Sequence, residues 1–147
     1  MTDTEPTTPA EQGALLERAR TIAVVGFSKD PSKPSHRAPL HLVAQGWNVV
    51  PINPTVEEVA GMRAYPSLAA AAEAVGQIDL VDVFRPAAEA PEIARQAVEV
   101  GASTLWLQRG IASAEARSIA TDAGLSYVED ACAGALSQML DLHPAGS

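Results

Sequence analysis

Thr21-Ile22-Ala23-Val24-Val25-Gly26-Phe27-Ser28-Lys29-Asp30-Pro31-Ser32-Lys33-Pro34-Ser35-His36-Arg37 is the stretch on which the fold turns. An apolar, β-branched run stops at a glycine. A loop with two lysines, two prolines and three serines follows, and a helix starts near Ser35. A buried parallel strand, a glycine turn and a helix N-terminus make an anion site, because unpaired backbone N–H groups and the helix dipole both favour negative charge. The whole chain carries a net charge of −8, yet Lys29 to Arg37 holds three cations against one anion. A basic loop on an acidic chain points to a phosphate-bearing ligand.

Working outward, strand and helix alternate five times. A helix spans Glu11 to Arg20, ahead of the first strand, Thr21 to Val25. The helix after the loop covers Ser35 to Gln45 and ends at Gly46. Trp47 to Ile52 is the second strand, ending at Asn53-Pro54. A polar stretch leads to Ser67, which caps an alanine-rich helix. Asp79 to Phe84 is the third strand, ending at Arg85-Pro86. A helix from Ala90 to Val100 carries Pro91 in its first turn, where a missing N–H costs little. Thr104 to Leu107 is the fourth strand, followed by Gln108-Arg109-Gly110-Ile111. A helix capped by Ser113, a short fifth strand at Ser126 to Val128 and a helix from Ala133 to Leu142 complete the chain. The strands are continuous apolar runs, as in a parallel sheet buried on both faces. The expected fold is therefore α/β: a half-Rossmann, five-stranded parallel sheet of order 3-2-1-4-5 with helices on both faces. That order puts the switch point between strands one and four, where ligands bind outside the strand carboxyl ends.

At 147 residues and 47% apolar content, one domain with a real core is expected. Residues 1–10 read as a flexible tail, 11–142 as the domain and 143–147 as a C-terminal tail. No run of 18 apolar residues marks a membrane span. The first residues have neither the basic nor the apolar region of a secretory signal. The one cysteine, Cys132, forms no internal disulfide, so a cytoplasmic setting is expected. The acidic balance argues against nucleic acid as a partner. A monomer or weak homodimer fits the composition.

The dinucleotide fingerprint G-x-G-x-x-G is absent after Gly26, and strand two ends in Asn53-Pro54 and not in an acidic residue. A P-loop is absent too. What remains is a nucleotide-type fold whose phosphate site uses Lys, Arg and hydroxyl side chains. Pro-Ile-Asn-Pro, Asp-Val-Phe-Arg-Pro and Trp-Leu-Gln-Arg-Gly-Ile follow in order. With them the chain, from Thr21 to Cys132, resembles the small stand-alone CoA-binding proteins, which are similar to the CoA-binding domain of the succinyl-CoA synthetase α-subunit. The resemblance implies coenzyme A or an acyl-CoA at the carboxyl edge of the sheet. It implies that Gly26, Phe27 and Ser28, with Lys29, Lys33 and Arg37, hold the nucleotide phosphates. Asn53 and Pro54 flank the adenosine part, Phe84, Arg85 and Pro86 border the pantetheine path, and Gln108, Gly110 and Ile111 close the far side. The family often ends its last strand with Asp-Arg-Cys and a nearby histidine; here Ala131 stands in place of the arginine and no histidine follows until His143.

Read from the residues alone, Ser28 either donates to phosphate or satisfies its own turn. Arg85 either reaches the ligand or pairs with Asp79 or Asp82. His36 and His41 are off the spacing of a helical metal pair. Cys132 reads as a small buried hydrophobe, with a mixed disulfide to the CoA thiol as the alternative. Trp47 and Trp106 read as core. No acid–base pair, metal cluster or activated nucleophile stands out. The expectation is a non-catalytic binding module. The rivals are an NAD(P)-binding oxidoreductase or redox sensor, and an interaction protein that has kept the fold alone.

Overall fold

In a computed structural model describing residues 6–145, the strands in chain order are β1 (Thr21–Val25), β2 (Asn48–Ile52), β3 (Glu58–Val59), β4 (Met62–Arg63), β5 (Leu80–Val83), β6 (Thr104–Leu107) and β7 (Ser126–Val128). The helices are α1 (Pro9–Arg18), α2 (Pro34–Ala44), α3 (Leu68–Val75), α4 (Ala90–Glu99), α5 (Ala114–Asp122) and α6 (Ala133–Met139). A 3₁₀ turn, Ala87–Glu89, precedes α4. No helix among the described residues is long and apolar enough to cross a membrane.

Local chemistry sets the helix starts. Ser67 and Ser113 accept from the N–H groups of Ala70 and Ala116, each at 3.1 Å, as N-caps do. Helix α1 opens two residues before its expected start because Thr8 and Glu11 form a reciprocal capping box. Residues 8–10, expected in the tail, thus belong to the helix and its cap. Residues 1–5 of that expected tail, and 146–147 of the C-terminal one, lie outside the described residues. Within the latter segment, the Ala145 N–H donates to the Glu17 carbonyl at 2.7 Å.

The five long strands pair in parallel, in the order β2-β1-β5-β6-β7. Side chains alternate between two cores. Ala23, Val50, Val81, Val83 and Leu105 face α3, α4 and α5. Ile22, Val24, Val49, Leu80 and Trp106 face α1, α2 and α6. The α/β class, the parallel sheet and the helices on both faces are as expected.

The strand order is corrected. The third long strand, β5, lies beside β1 and not beyond β2, so the long strands run 2-1-3-4-5. Two features of β2 explain this. Pro51 has no N–H to give to a further strand, which suits an edge. The outer edge of β2 is also occupied: Tyr65 N–H donates to Pro51 O at 3.0 Å, and Asn53 N–H donates to Tyr65 O at 2.9 Å. The stretch expected to be a plain polar linker carries the β3–β4 hairpin and delivers Tyr65 to that edge. The switch point therefore falls between β1 and β5.

Trp47 and Trp106 are core as expected, and each indole N–H is satisfied, by the Leu16 and Ala19 carbonyls and by the Ala131 carbonyl respectively. Helix α6 packs on α2 through Gly134, where a Cβ would overlap the Ala38 carbonyl oxygen. Gly134→Ala is expected to destabilise the chain by about 1–3 kcal/mol through overpacking. A drop in Tm of roughly 2–4 °C per kcal/mol, followed by circular dichroism, checks this.

Candidate functional site

Strand β1 ends at Gly26, whose φ of +90° lies in the region that favours glycine. Its N–H donates to Ile52 O of β2 at 3.0 Å, while Phe84 N–H of β5 donates to Val25 O at 2.9 Å. A Cβ on Gly26 would stand 2.9 Å from Arg85 Cδ and 3.0 Å from Phe84 O. The three strand ends thus close on one residue without a side chain.

The following loop is tied to the first turn of α2. Phe27 drops into the core, fully buried, edge-on to the His36 ring. Ser28 N–H donates to Ser35 O at 3.1 Å. That carbonyl is available because Pro39, four residues on, has no N–H to offer it. Ser28 Oγ accepts from Asp30 N–H at 3.1 Å, so the serine does satisfy its own turn. His36 Nδ1 lies 2.7 Å from Ser28 O; a carbonyl only accepts, so Nδ1 carries the proton. The Ser32 backbone N–H and hydroxyl donate to Asp30 and hold its carboxyl below the ordinary range. Arg37 Nη1 donates to Ser32 O at 2.7 Å.

Asn53 joins the next wall to this loop. Its Nδ2 donates to Phe27 O at 3.1 Å, and its Oδ1 accepts from the N–H and hydroxyl of Thr55. At the end of β5, Arg85 pairs with neither Asp79 nor Asp82. Its Nε and Nη2 donate to the two carboxylate oxygens of Glu89 at 3.0 and 2.8 Å. That bond keeps Glu89 below the ordinary carboxylate range.

Between these loops and the start of α4 lies a crevice of about 850 Å³. Of the expected residues, Gly26, Ser28, Lys33, Asn53, Pro54, Phe84 and Arg85 line it. Lys29, Arg37 and Pro86 are exposed and do not, and Phe27 is committed to the core. The opposite wall is Ala88, Glu89, Glu92, Ile93 and Gln96, which the sequence reading missed. The spacing of Arg85 and Glu89, four apart with opposite charge, was a signal that could have found part of it.

The Gln108 loop lies away from this crevice. Gln108 follows Trp106 on the face of α1, α2 and α6, and Val25 and Ile52 at the crevice belong to the other face. Its side chain is buried and Nε2 donates to Asp82 Oδ1 at 2.5 Å. Gly110 N–H donates to Asp130 Oδ1 at 2.7 Å, Asp130 N–H donates to Ile111 O, and Ile111 packs on the α3–α5 core. With β5 interposed between β1 and β6, these residues secure the neighbouring loops and do not line the crevice. Cys132 is half-buried and accepts from Ala135 N–H as the N-cap of α6, a role its sequence context did not suggest.

Asp82 is fully buried, and Oδ2 has no hydrogen-bond partner of its own. Burial pushes its pKa up to about 7, offset only in part by the Gln108 amide and the Val83 N–H.

The crevice lies at the switch point of an open parallel sheet, where such folds hold small ligands. The chain belongs to the CoA binding domain family, whose profile matches residues 20–138. It is 35% identical over 123 residues to the uncharacterized protein YneT of Bacillus subtilis (strain 168), covering 84% of this chain and 89% of that one. A hypothetical protein from Pyrococcus horikoshii OT3 has a similar structure, with a TM-score of 0.84 at 31% identity over 95% of this chain and 99% of that one. An acetyl-coenzyme A synthetase 1 of Ca. Korarchaeum cryptofilum matches 76% of this chain with a TM-score of 0.65 at 26% identity. The match covers 26% of that longer chain.

Asp82 supplies a pH test of the buried pair. The folded chain keeps its proton up to about pH 7, and the unfolded chain loses it near the usual 3.8. The folded form therefore binds the extra proton between those values. Stability present below about pH 4 is lost as pH rises to about 7 and stays lost above it. Asp82→Asn is expected to remove this slope and to raise stability at pH 8 by on the order of a few kcal/mol. Urea denaturation at pH 5 and pH 8 measures it; an unaltered difference between the two pH values contradicts the assignment.

Proposed function

We propose that the chain binds coenzyme A or an acyl-CoA, without catalysing a reaction on it, in the crevice between β1, β5 and α4. The observation that carries this reading is a crevice of ligand size at the switch point of a CoA binding domain, opened by a glycine turn and lined by Lys33 and Arg85. Ser28, Lys33 and Ser35 form its phosphate end. They sit where the chain enters α2, so the helix dipole adds to the lysine charge. Phe84, Ile93 and Gln96 suit the pantetheine arm, which combines apolar stretches with amides. Asn53 and Thr55 are committed to each other and to Phe27, so they shape the wall and leave Pro54 and Pro66 to meet the adenosine part. Of the polar lining side chains, Ser28, Asn53 and Thr55 are engaged in holding turns and Ser67 in capping α3, which supports binding over chemistry. A cytoplasmic setting, where CoA is abundant, accords with the lone half-buried cysteine.

Lys29 and Arg37 lie off the lining, so Lys33 takes the leading role among the loop cations. Ligand at about 100 times its dissociation constant adds roughly 2.7 kcal/mol, or about 5–10 °C in Tm. That rise is expected with CoA or acetyl-CoA and not with NAD, NADP or ATP at equal concentration. Lys33→Ala is expected to weaken CoA binding about tenfold or more, through loss of a charge-assisted hydrogen bond, and Lys29→Ala to change it little. A larger shift with NAD than with CoA rejects the reading.

A further inference from the structure

We propose that Glu89 is a built-in competitor for the ligand: its carboxylate holds the Arg85 guanidinium, and a phosphate group entering the crevice takes that guanidinium from it. This rests on the reading of the crevice as a CoA site and says how that site discriminates among ligands.

Four observations carry it. Arg85 and Glu89 both line the crevice. They meet through two near-parallel N–H···O bonds of 3.0 and 2.8 Å, the fork that a guanidinium also offers to a phosphate. Both side chains are 47% exposed, so the pair is reached by solvent and can be exchanged at small cost. The Arg85 stem is laid across Gly26, with Cδ 2.9 Å from where a Cβ would stand. The guanidinium is thereby anchored beside the phosphate turn whichever anion it holds.

Charge gives the exchange its purpose. The charged lining residues are Lys33 and Arg85 against Glu89 and Glu92, so the walls are formally neutral. Glu92 has a partner outside the crevice in Arg95, at 3.1 Å. Glu89 is held charged by Arg85 itself. A neutral ligand lacks the charge to displace a bidentate carboxylate, and a singly charged one only matches it. A pyrophosphate has both. The pair therefore disfavours uncharged adenosine-like compounds and admits ligands that carry clustered phosphate oxygens.

Titration calorimetry on the full chain tests this with CoA and, separately, with inorganic pyrophosphate as probes. Glu89→Gln is expected to bind both about three- to tenfold more tightly than the parent chain. Arg85→Gln is expected to weaken both by a similar factor. In the Arg85→Gln background, Glu89→Gln is expected to give no gain, because the contest no longer exists. Glu92→Gln, which removes an equal charge from the same wall without touching Arg85, is expected to give a distinctly smaller gain than Glu89→Gln. Equal gains from Glu89→Gln and Glu92→Gln, or a gain that survives without Arg85, would overturn the proposal in favour of simple charge repulsion. If pyrophosphate shows the expected pattern and CoA binds no variant, the exchange stands and the CoA reading falls. If CoA binds and Glu89→Gln changes nothing, the reverse holds. If neither probe binds any variant, both fall.

Discussion

Gly26 is the point at which three strand ends are forced together. Ile52 O takes its N–H, the Phe84 N–H takes the carbonyl before it, and the Arg85 stem crosses the space where a side chain would be. With a Cβ there, the β5 exit would have to lift away and the crevice would lose one wall. A φ of +90° adds a conformational reason for glycine to the steric one. The rest of the site follows from this closure. Because Phe27 turns inward immediately afterwards, the loop returns to α2 over a short path, and Ser28 meets Ser35. Pro39, an apparent defect in the helix, supplies the vacant carbonyl that makes that meeting possible.

The fold class was legible because buried parallel strands leave a direct trace, runs of Val, Ile and Leu ended by glycine or proline. The caps Ser67 and Ser113 were legible for the same reason: each hydroxyl acts on an N–H three residues away. Strand order was not, since alternation of strand and helix is the same whichever side of β1 the third strand takes. Pro51 was the residue that spoke on this. A proline in the middle of a strand points to an edge, and the order 3-2-1-4-5 would have buried it between two neighbours.

The candidate site was legible where backbone makes it and less so where side chains do. Gly26, Ser28, Asn53 and Phe84 sit at strand ends, and a strand end fixes its own position. Lys29 lies in the loop, Lys33 at the N-cap of α2 and Arg37 inside that helix, and of the three only Lys33 lines the crevice. Arg37 is drawn back to Ser32 O, a long-side-chain contact that composition does not encode. Glu89 was legible only through its spacing from Arg85, four residues before it. Its place at the start of α4 is an ordinary one for an acidic residue, favoured by the dipole, and did not by itself mark a wall of the crevice.

The strand order also decides on which face the crevice opens. The chain leaves β1 for α2 on one face of the sheet and leaves β5 for α4 on the other. Adjacent parallel strands whose crossovers depart to opposite faces pull their connecting loops apart, and the gap forms at their carboxyl ends. No such divergence exists between β5 and β6, whose following helices α4 and α5 share a face. The loop after β6 therefore packs against its neighbours. Gln108, directed to the face of α2 and α6, meets the buried Asp82 and not the crevice. Had β1 and β6 been neighbours, Gln108 would stand at the mouth of the crevice. With β5 between them, the same residue gives its amide to Asp82, the buried carboxylate among the described residues.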